Sequence, residues 1–298
     1  MTYKSGFVGL LGLPNVGKST LINRIIGSRV SIVTPVPQTT RNLIRGVYSR
    51  SRGQIIFVDT PGFHRDKHKH KFNKHLNAII DNMIADVDVI LLILSGRHTH
   101  NQLLLKQLQR ASCPVVLVGN KRDILGKGLD ALLKAHKPLF PFAAVHAISA
   151  RTGYGVPDLI ERLFSLLPQG PQYFPADFTS DRSDVFHIAE LIRAQLFLRL
   201  KKEMPHKVAV VVEHLSMAKD RKKTLIMASI WVEKKNEKPI IIGKKGAFLK
   251  AVGSAAREQI EQRLQCPVFL SLFVKIKKDW RNDPKLYETI ENQSPDFY

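Results

Sequence analysis

Five apolar residues, Phe7-Val8-Gly9-Leu10-Leu11, run directly into Gly12-Leu13-Pro14-Asn15-Val16-Gly17-Lys18-Ser19, and Thr20 to Ile26 continue with helical character. A strand, a glycine-bounded loop and a helix in this order leave few structures open. The loop must curl so that its backbone N–H groups converge at the start of the helix, where the helix dipole adds a partial positive charge. That concavity is a phosphate cradle. Lys18 is placed to reach the β and γ phosphates of a nucleotide and Ser19 to ligate magnesium. The phosphate-binding set read from this segment is Gly12, Pro14, Asn15, Val16, Gly17, Lys18, Ser19 and Thr20.

Three further motifs follow in order, each at the end of an apolar run. Ile55-Ile56-Phe57-Val58 leads into Asp59-Thr60-Pro61-Gly62, where a carboxylate can hold magnesium through water and the Gly62 N–H can approach a γ-phosphate. Pro114 to Gly119 delivers Asn120-Lys121-Arg122-Asp123, and Ala143 to Ile148 delivers Ser149-Ala150-Arg151. Asp123 sets the base. Its carboxylate, expected to be buried, accepts two hydrogen bonds from the N1–H and 2-amino groups of guanine; adenine lacks the 2-amino group and turns an acceptor toward it. A buried carboxylate left unpaired is costly enough for strong discrimination. Asn120, Lys121, Asp123, Ser149 and Ala150 therefore form the base-binding set, and the nucleotide is GTP or GDP with Mg2+.

The ordered set GxxxxGKS, DTPG, NKxD and SA over residues 6 to 151 is similar to the translation-factor-like class of P-loop GTPases. This resemblance implies a doubly wound, mostly parallel α/β sheet with the nucleotide at the carboxyl ends of its strands. Pro37-Gln38-Thr39-Thr40-Arg41 resembles the first switch of the class, with Thr40 rather than Thr39 closing onto magnesium beside Ser19 and Asp59. Ras-like enzymes place a water-orienting glutamine after DxxG; here that position is Phe63, whose ring cannot orient water. Asn15 matches an asparagine that helps to hold K+ in GTPases resembling this one. The expected catalytic set is Lys18, Asn15, Thr40 and Gly62, with slow turnover raised by potassium or by a partner. The run His64 to Lys71, with His75, reads as a solvated switch rather than a metal site, because its neighbours are mostly cationic.

The chain of 298 residues carries 46 Lys and Arg against 25 Asp and Glu, a net +21 that favours polyanionic partners. Thirteen basic and five acidic residues fall in 201–250, whereas 151–200 is nearly neutral. Within the neutral stretch, Leu167 to Pro175 holds three prolines and a glycine, which suits a linker. The expected division is a nucleotide domain over 1–171, a linker over 172–182, a second domain over 183–281 and a tail over 282–298. Cys113 and Cys266 read as reduced packing residues. No apolar run is long enough for a membrane helix and no signal peptide opens the chain, so the cytoplasm is expected.

Beyond the linker the periodicity predicts a helix over 184–202 capped by Ser183, strands over 208–215 and 224–232, a short helix into Gly243-Lys244-Lys245-Gly246, a helix to about 265 and a strand over 267–276. This α-β-β-α-α-β order, with a GxxG loop joining two helices, looks like a type II KH domain. The glycines let an RNA backbone lie close, Lys244 and Lys245 meet phosphates, and an apolar groove holds splayed bases. Ile242, Gly243, Lys244, Lys245, Gly246 and Lys250 form the expected RNA-binding set.

A GTPase of this class followed by a KH domain resembles the Era family over about residues 5 to 281, further matching at Phe174-Pro175, Thr179-Ser180-Asp181-Arg182 and Trp280-Arg281. Phe273 stands where tryptophan is common and Arg151 where lysine is common. The resemblance implies binding of the 3′ end of small-subunit ribosomal RNA and a role in small ribosomal subunit assembly and maturation, with GTP state controlling RNA affinity. The basic charge is also compatible with transient association with the inner-membrane surface, and no small-molecule substrate besides GTP is expected. Two other readings are a GTP-gated RNA adaptor with negligible hydrolysis and a membrane-surface GTPase.

Overall fold

The apolar runs that carry the nucleotide motifs all become strands of one sheet. The computed structural model describes residues 2–28, 30–31, 44–59, 80–96, 102–181, 183–201, 204–217, 224–283, 286 and 289–290. Strands β1 (Lys4–Leu11), β2 (Ile44–Arg50), β3 (Gly53–Asp59), β4 (Val89–Leu94), β5 (Val115–Gly119) and β6 (Ala144–Ala147) lie in the order β2-β3-β1-β4-β5-β6. Strand β2 is antiparallel to β3, and the other pairs are parallel. Burial along all of β3 and β5 is what a sheet covered on both faces requires. Helices α1 (Lys18–Ile26) and α5 (Val156–Leu166) cover one face. Residues 80–86, α2 (Gln102–Leu108) and α4 (Lys127–His136) cover the other, while the four-residue α3 (Arg122–Leu125) follows β5. The doubly wound class expected from the motifs is the one observed, and the carboxyl ends of the parallel strands β1, β3, β5 and β6 lie at one end of the sheet.

The proline-rich segment read as a linker runs along this unit rather than away from it. Gln54, fully buried in β3, accepts the N–H groups of Tyr173 and Phe174 at 3.1 and 3.0 Å and donates to the Phe174 carbonyl at 3.0 Å. Ser5 donates to the Pro171 carbonyl at 2.6 Å, Phe174 stacks on Phe178, and Val47 N–H reaches the Thr179 carbonyl at 2.9 Å. Among the described residues the first compact unit ends at Asp181.

The second unit opens with α6 (Asp184–Arg199), whose N-terminus is capped by the Ser183 side chain accepting from Phe186 N–H at 3.2 Å. The helix stops short of the expected Lys202 because Leu200 turns extended and puts its side chain into the core. Strands β7 (Ala209–Met217) and β8 (Thr224–Val232) pair antiparallel with a bulge between Val212 and His214, and β9 (Val268–Ile276) pairs parallel with β8. Helices α6, α7 (Lys238–Ile242) and α8 (Ala247–Leu264) pack on one face of this sheet. On the other face Trp280, fully buried, seals Ala209, Val211 and Trp231, and Arg281 Nε holds Glu233 at 3.0 Å. No helix among the described residues is long and apolar enough to cross a membrane.

Candidate nucleotide and RNA sites

The loop after β1 is forced into its curl by two left-handed residues, Asn15 at φ 62° and Gly17 at φ 100°. Lys18 begins α1 and is nearly sealed from solvent; its ammonium donates to the carbonyls of Gly12 at 3.1 Å and Leu13 at 3.3 Å. Burial pushes its pKa down to about 8, partly offset by the charge of Asp59. The same burial raises the Asp59 carboxyl, against the pull of Lys18 and of two hydroxyl donors.

Those donors lie where the sequence places magnesium. Ser19 Oγ and Ser31 Oγ both donate to Oδ2 of Asp59, at 2.8 and 2.7 Å, while the buried Oδ1 has no hydrogen-bond partner among the described residues. A fully buried carboxylate with one oxygen fixed and the other open is a fitting acceptor for a hydrated divalent cation next to the Ser19 hydroxyl. Asn23, from the second turn of α1, fixes Ser31 in turn: it accepts the N–H groups of Val30 and Ser31 at 3.0 Å each and donates to the Ser31 carbonyl at 2.7 Å. Neither Asn23 nor Ser31 stands in a motif, and the sequence reading missed both. Thr40 and Gly62 lie outside the described residues, as do Thr39, Phe63 and the histidine run.

The base side is built around Asn120. Its amide donates to the Val16 carbonyl at 2.8 Å, and its oxygen accepts from the N–H groups of Lys121 at 2.7 Å and Ala150 at 2.9 Å. Lys121, itself left-handed, spans back to the Asn15 carbonyl at 2.6 Å. Ser149 Oγ holds one oxygen of Asp123 at 2.7 Å. Asp123 is exposed rather than buried, because it sits at the rim in the short helix α3. Arg24 of α1 ties down the last motif through the carbonyls of Ala150, at 3.2 Å, and Arg151; this cross-link also escaped the sequence reading. Pro14 and Thr20 are half-buried beside these groups and Val16 is buried.

In the second unit, α7 ends at Gly243, whose φ 76° and ψ 174° belong to a region only glycine enters readily. Lys245 (φ 49°) and Gly246 (φ 79°) continue the reversal into α8. Lys244, Lys245 and Lys250 are exposed, and Ile242 packs against the core beneath them. Beside the loop a groove of about 430 Å³ opens between α8 and the β9 edge, bordered by Leu249, Lys250, Arg257, Phe269 and Leu272.

A mostly parallel sheet whose strand ends gather a phosphate loop, a magnesium-side aspartate and a guanine-type loop pair defines a P-loop GTPase, here joined to a GxxG domain of KH type. Comparison with known proteins agrees. Residues 7–121 match the family described as 50S ribosome-binding GTPase, and residues 203–281 match the KH domain. The chain is 43% identical over 289 residues to GTPase Era of Halothermothrix orenii, covering 94% of this chain and 96% of the relative. It is 42% identical to GTPase Era of Geobacter metallireducens, covering 97% of each. The solved structure of Era in complex with MgGDPNP and nucleotides 1506–1542 of 16S ribosomal RNA matches with a TM-score of 0.89 at 32% identity, over 97% of this chain and 98% of that one. A variant of Aquifex aeolicus Era bound to GDP and AlF4− matches with a TM-score of 0.90 at 33% identity, over 96% and 98%. The chain belongs to the Era family of GTPases. That membership favours the hydrolysing switch over the adaptor and membrane-surface readings.

Proposed function

We propose that this chain binds and hydrolyses GTP with magnesium, and that its nucleotide state controls binding of the 3′ end of small-subunit ribosomal RNA during small-subunit assembly in the cytoplasm. The observation that carries the reading is the coexistence, on one chain, of the Asn120–Ser149–Asp123 base loops with the Gly243–Gly246 loop and its three exposed lysines. The Era complex that resembles it over nearly its whole length holds both a magnesium GTP analogue and 16S ribosomal RNA.

In this reading Lys18 contacts the β and γ phosphates, and Asp123 accepts the guanine N1–H and 2-amino donors with its orientation held by Ser149. Ser19, Thr40 and, through water, Asp59 hold Mg2+, which when bound neutralises charge developing between the β and γ phosphates. Gly62 senses the γ-phosphate, and Asn15 contributes to a K+ site. Lys244, Lys245 and Lys250 meet RNA phosphates, with Gly243 and Gly246 allowing close approach and Ile242 supporting the loop from below.

The test is the affinity for a 3′-terminal small-subunit rRNA oligonucleotide at one fixed salt concentration, with a GTP analogue, GDP or no nucleotide. Tighter binding with the GTP analogue, lost when Lys244 and Lys245 become alanine, is expected. Equal affinity in all three states would sink the coupling.

A further inference from the structure

Strand β9 is the edge of the second sheet, and its residues alternate between two environments. Val268, Leu270, Leu272 and Val274 turn toward the helices and the groove. Phe269, Ser271, Phe273, Lys275 and Lys277 occupy the opposite side, as the period of two requires. There, Phe269 is 52% and Phe273 42% exposed, and Leu225, paired with Phe269 across the ladder, is 37% exposed. At the other end of the same face Trp280 seals the surface. Lys277 lies over the Trp231 ring and Lys275 is held by Glu213. Along one edge strand the chain therefore displays two phenyl rings followed by two ammonium groups.

Large apolar side chains on an edge strand invite aggregation unless a partner uses them. The partner's chemistry follows from the layout. Phe269 borders the groove beside the GxxG loop, so the ring-bearing face is continuous with that groove around the β9 edge. Aromatic rings interleaved with cations on a sheet face bind splayed bases by stacking while the cations track phosphates. The net charge of +21 makes a polyanion the favoured occupant over an apolar protein surface.

We propose that the outer face of β9 is a second, stacking subsite for single-stranded RNA: a strand seated in the groove continues around the β9 edge and places its next bases on Phe269 and Phe273, with Lys275 and Lys277 beside its phosphates. This rests on the reading of the groove as the RNA site, and the experiment separates the two.

The full-length protein is titrated with a four-nucleotide RNA, long enough for the groove alone, and with a twelve-nucleotide RNA, each from the 3′ end of small-subunit rRNA. Replacing Phe269 and Phe273 together by leucine keeps apolar bulk and removes the rings. This variant is expected to bind the short RNA within twofold of wild type and the long RNA about tenfold or more weaker, with no change in salt dependence because no cation is lost. Abasic nucleotides in the extension should reproduce the loss in wild type and add nothing in the variant. Phe273→Trp should restore affinity and show quenched emission on binding the long RNA. Unchanged long-RNA affinity in the leucine variant overturns the proposal and assigns the face to a protein partner or to none. Unchanged binding of both RNAs when Lys244 and Lys245 are replaced by alanine would instead overturn the groove reading.

Discussion

The amide nitrogen of Asn120 lies 2.8 Å from the carbonyl of Val16, so the base-binding loop after β5 is stitched directly to the phosphate loop after β1. A Cβ placed on Gly17 would overlap that same nitrogen. The loop after β1 and the loop after β5 are therefore one structure. Replacing Asn120 by alanine strands the N–H groups of Lys121 and Ala150, and each buried orphan donor costs about 1–3 kcal/mol. We expect Asn120→Ala to lower the stability of the first unit by several kcal/mol in urea titrations. Loss of guanine affinity with unchanged stability would show that its role is confined to the ligand.

Asp123 is held by a single hydroxyl and carries no burial penalty of its own, so its replacement should alter specificity more than folding. Asp123→Asn presents a donor in place of one acceptor. GDP affinity should drop by at least about a hundredfold and xanthosine diphosphate affinity should rise, since each mispaired polar contact costs about 1–3 kcal/mol. Competition against a fluorescent nucleotide measures both.

The buried lysine gives a signed dependence on pH. With Lys18 held at about 8, against an ordinary 10.5, the unfolded chain binds a proton between those values that the folded chain lacks. This group alone makes stability rise with pH across that window. Nucleotide phosphates favour the ammonium form, so binding must restore the proton. Affinity for GDP should fall above pH 8, by at most about tenfold per unit. Calorimetry at pH 9 in two buffers of different ionisation heat should report proton uptake near one, and at pH 7 near zero.

Ser31→Ala removes one of the two hydroxyls that fix the Asp59 carboxylate. A hydrogen bond to a charged group contributes about 1.5–3 kcal/mol, and the carboxyl pKa, already raised by burial, should climb further. Release of GDP should become faster at limiting magnesium and recover at high magnesium, with Ser31→Thr close to wild type. Identical magnesium dependence in both variants would remove Ser31 from any positioning role.

The two glycines of the RNA loop should respond differently to alanine. A Cβ on Gly243 meets Phe248 Cβ at 2.6 Å and Phe248 N at 2.8 Å, whereas one on Gly246 meets nothing within 4 Å. Both have positive φ. Gly243→Ala should destabilise the second unit by more than about 2 kcal/mol, and Gly246→Ala by about 1 kcal/mol, the cost of the left-handed backbone alone. Thermal unfolding of the purified protein distinguishes them.

The nucleotide motifs were legible because each is contiguous and stands at the end of an apolar strand, and the structure gathers Lys18, Asp59, Asn120 and Ser149 at those strand ends. The β8 boundaries, Thr224–Val232, match the strand-like run read from the sequence. What stayed hidden depends on partners distant in sequence. Arg24 meets Ala150 across 126 residues, and Gln54 meets Phe174 across 120. Neither spacing leaves a local signature. The solvent side of Asp123 was misjudged because a motif specifies which atoms face a ligand but not whether protein encloses them. The length of α6 was overestimated because helical periodicity continues through Leu200, while the core draws that side chain inward by ending the helix.

The clasp of Gln54 on Tyr173 and Phe174, continued by Val47 on Thr179 and by Arg45 on Asp181, changes the length of the tether between the units. Eleven residues, 172–182, would reach about 36–40 Å if slack. With the chain pinned as far as Asp181, only residue 182 separates the last clasped residue from Ser183, the cap of α6. The clasp therefore removes nearly all the slack that an eleven-residue linker would have carried. Substituting Gln54, fully buried and 120 residues away in sequence from the Phe174 it clasps, should therefore act as an insertion into the tether would.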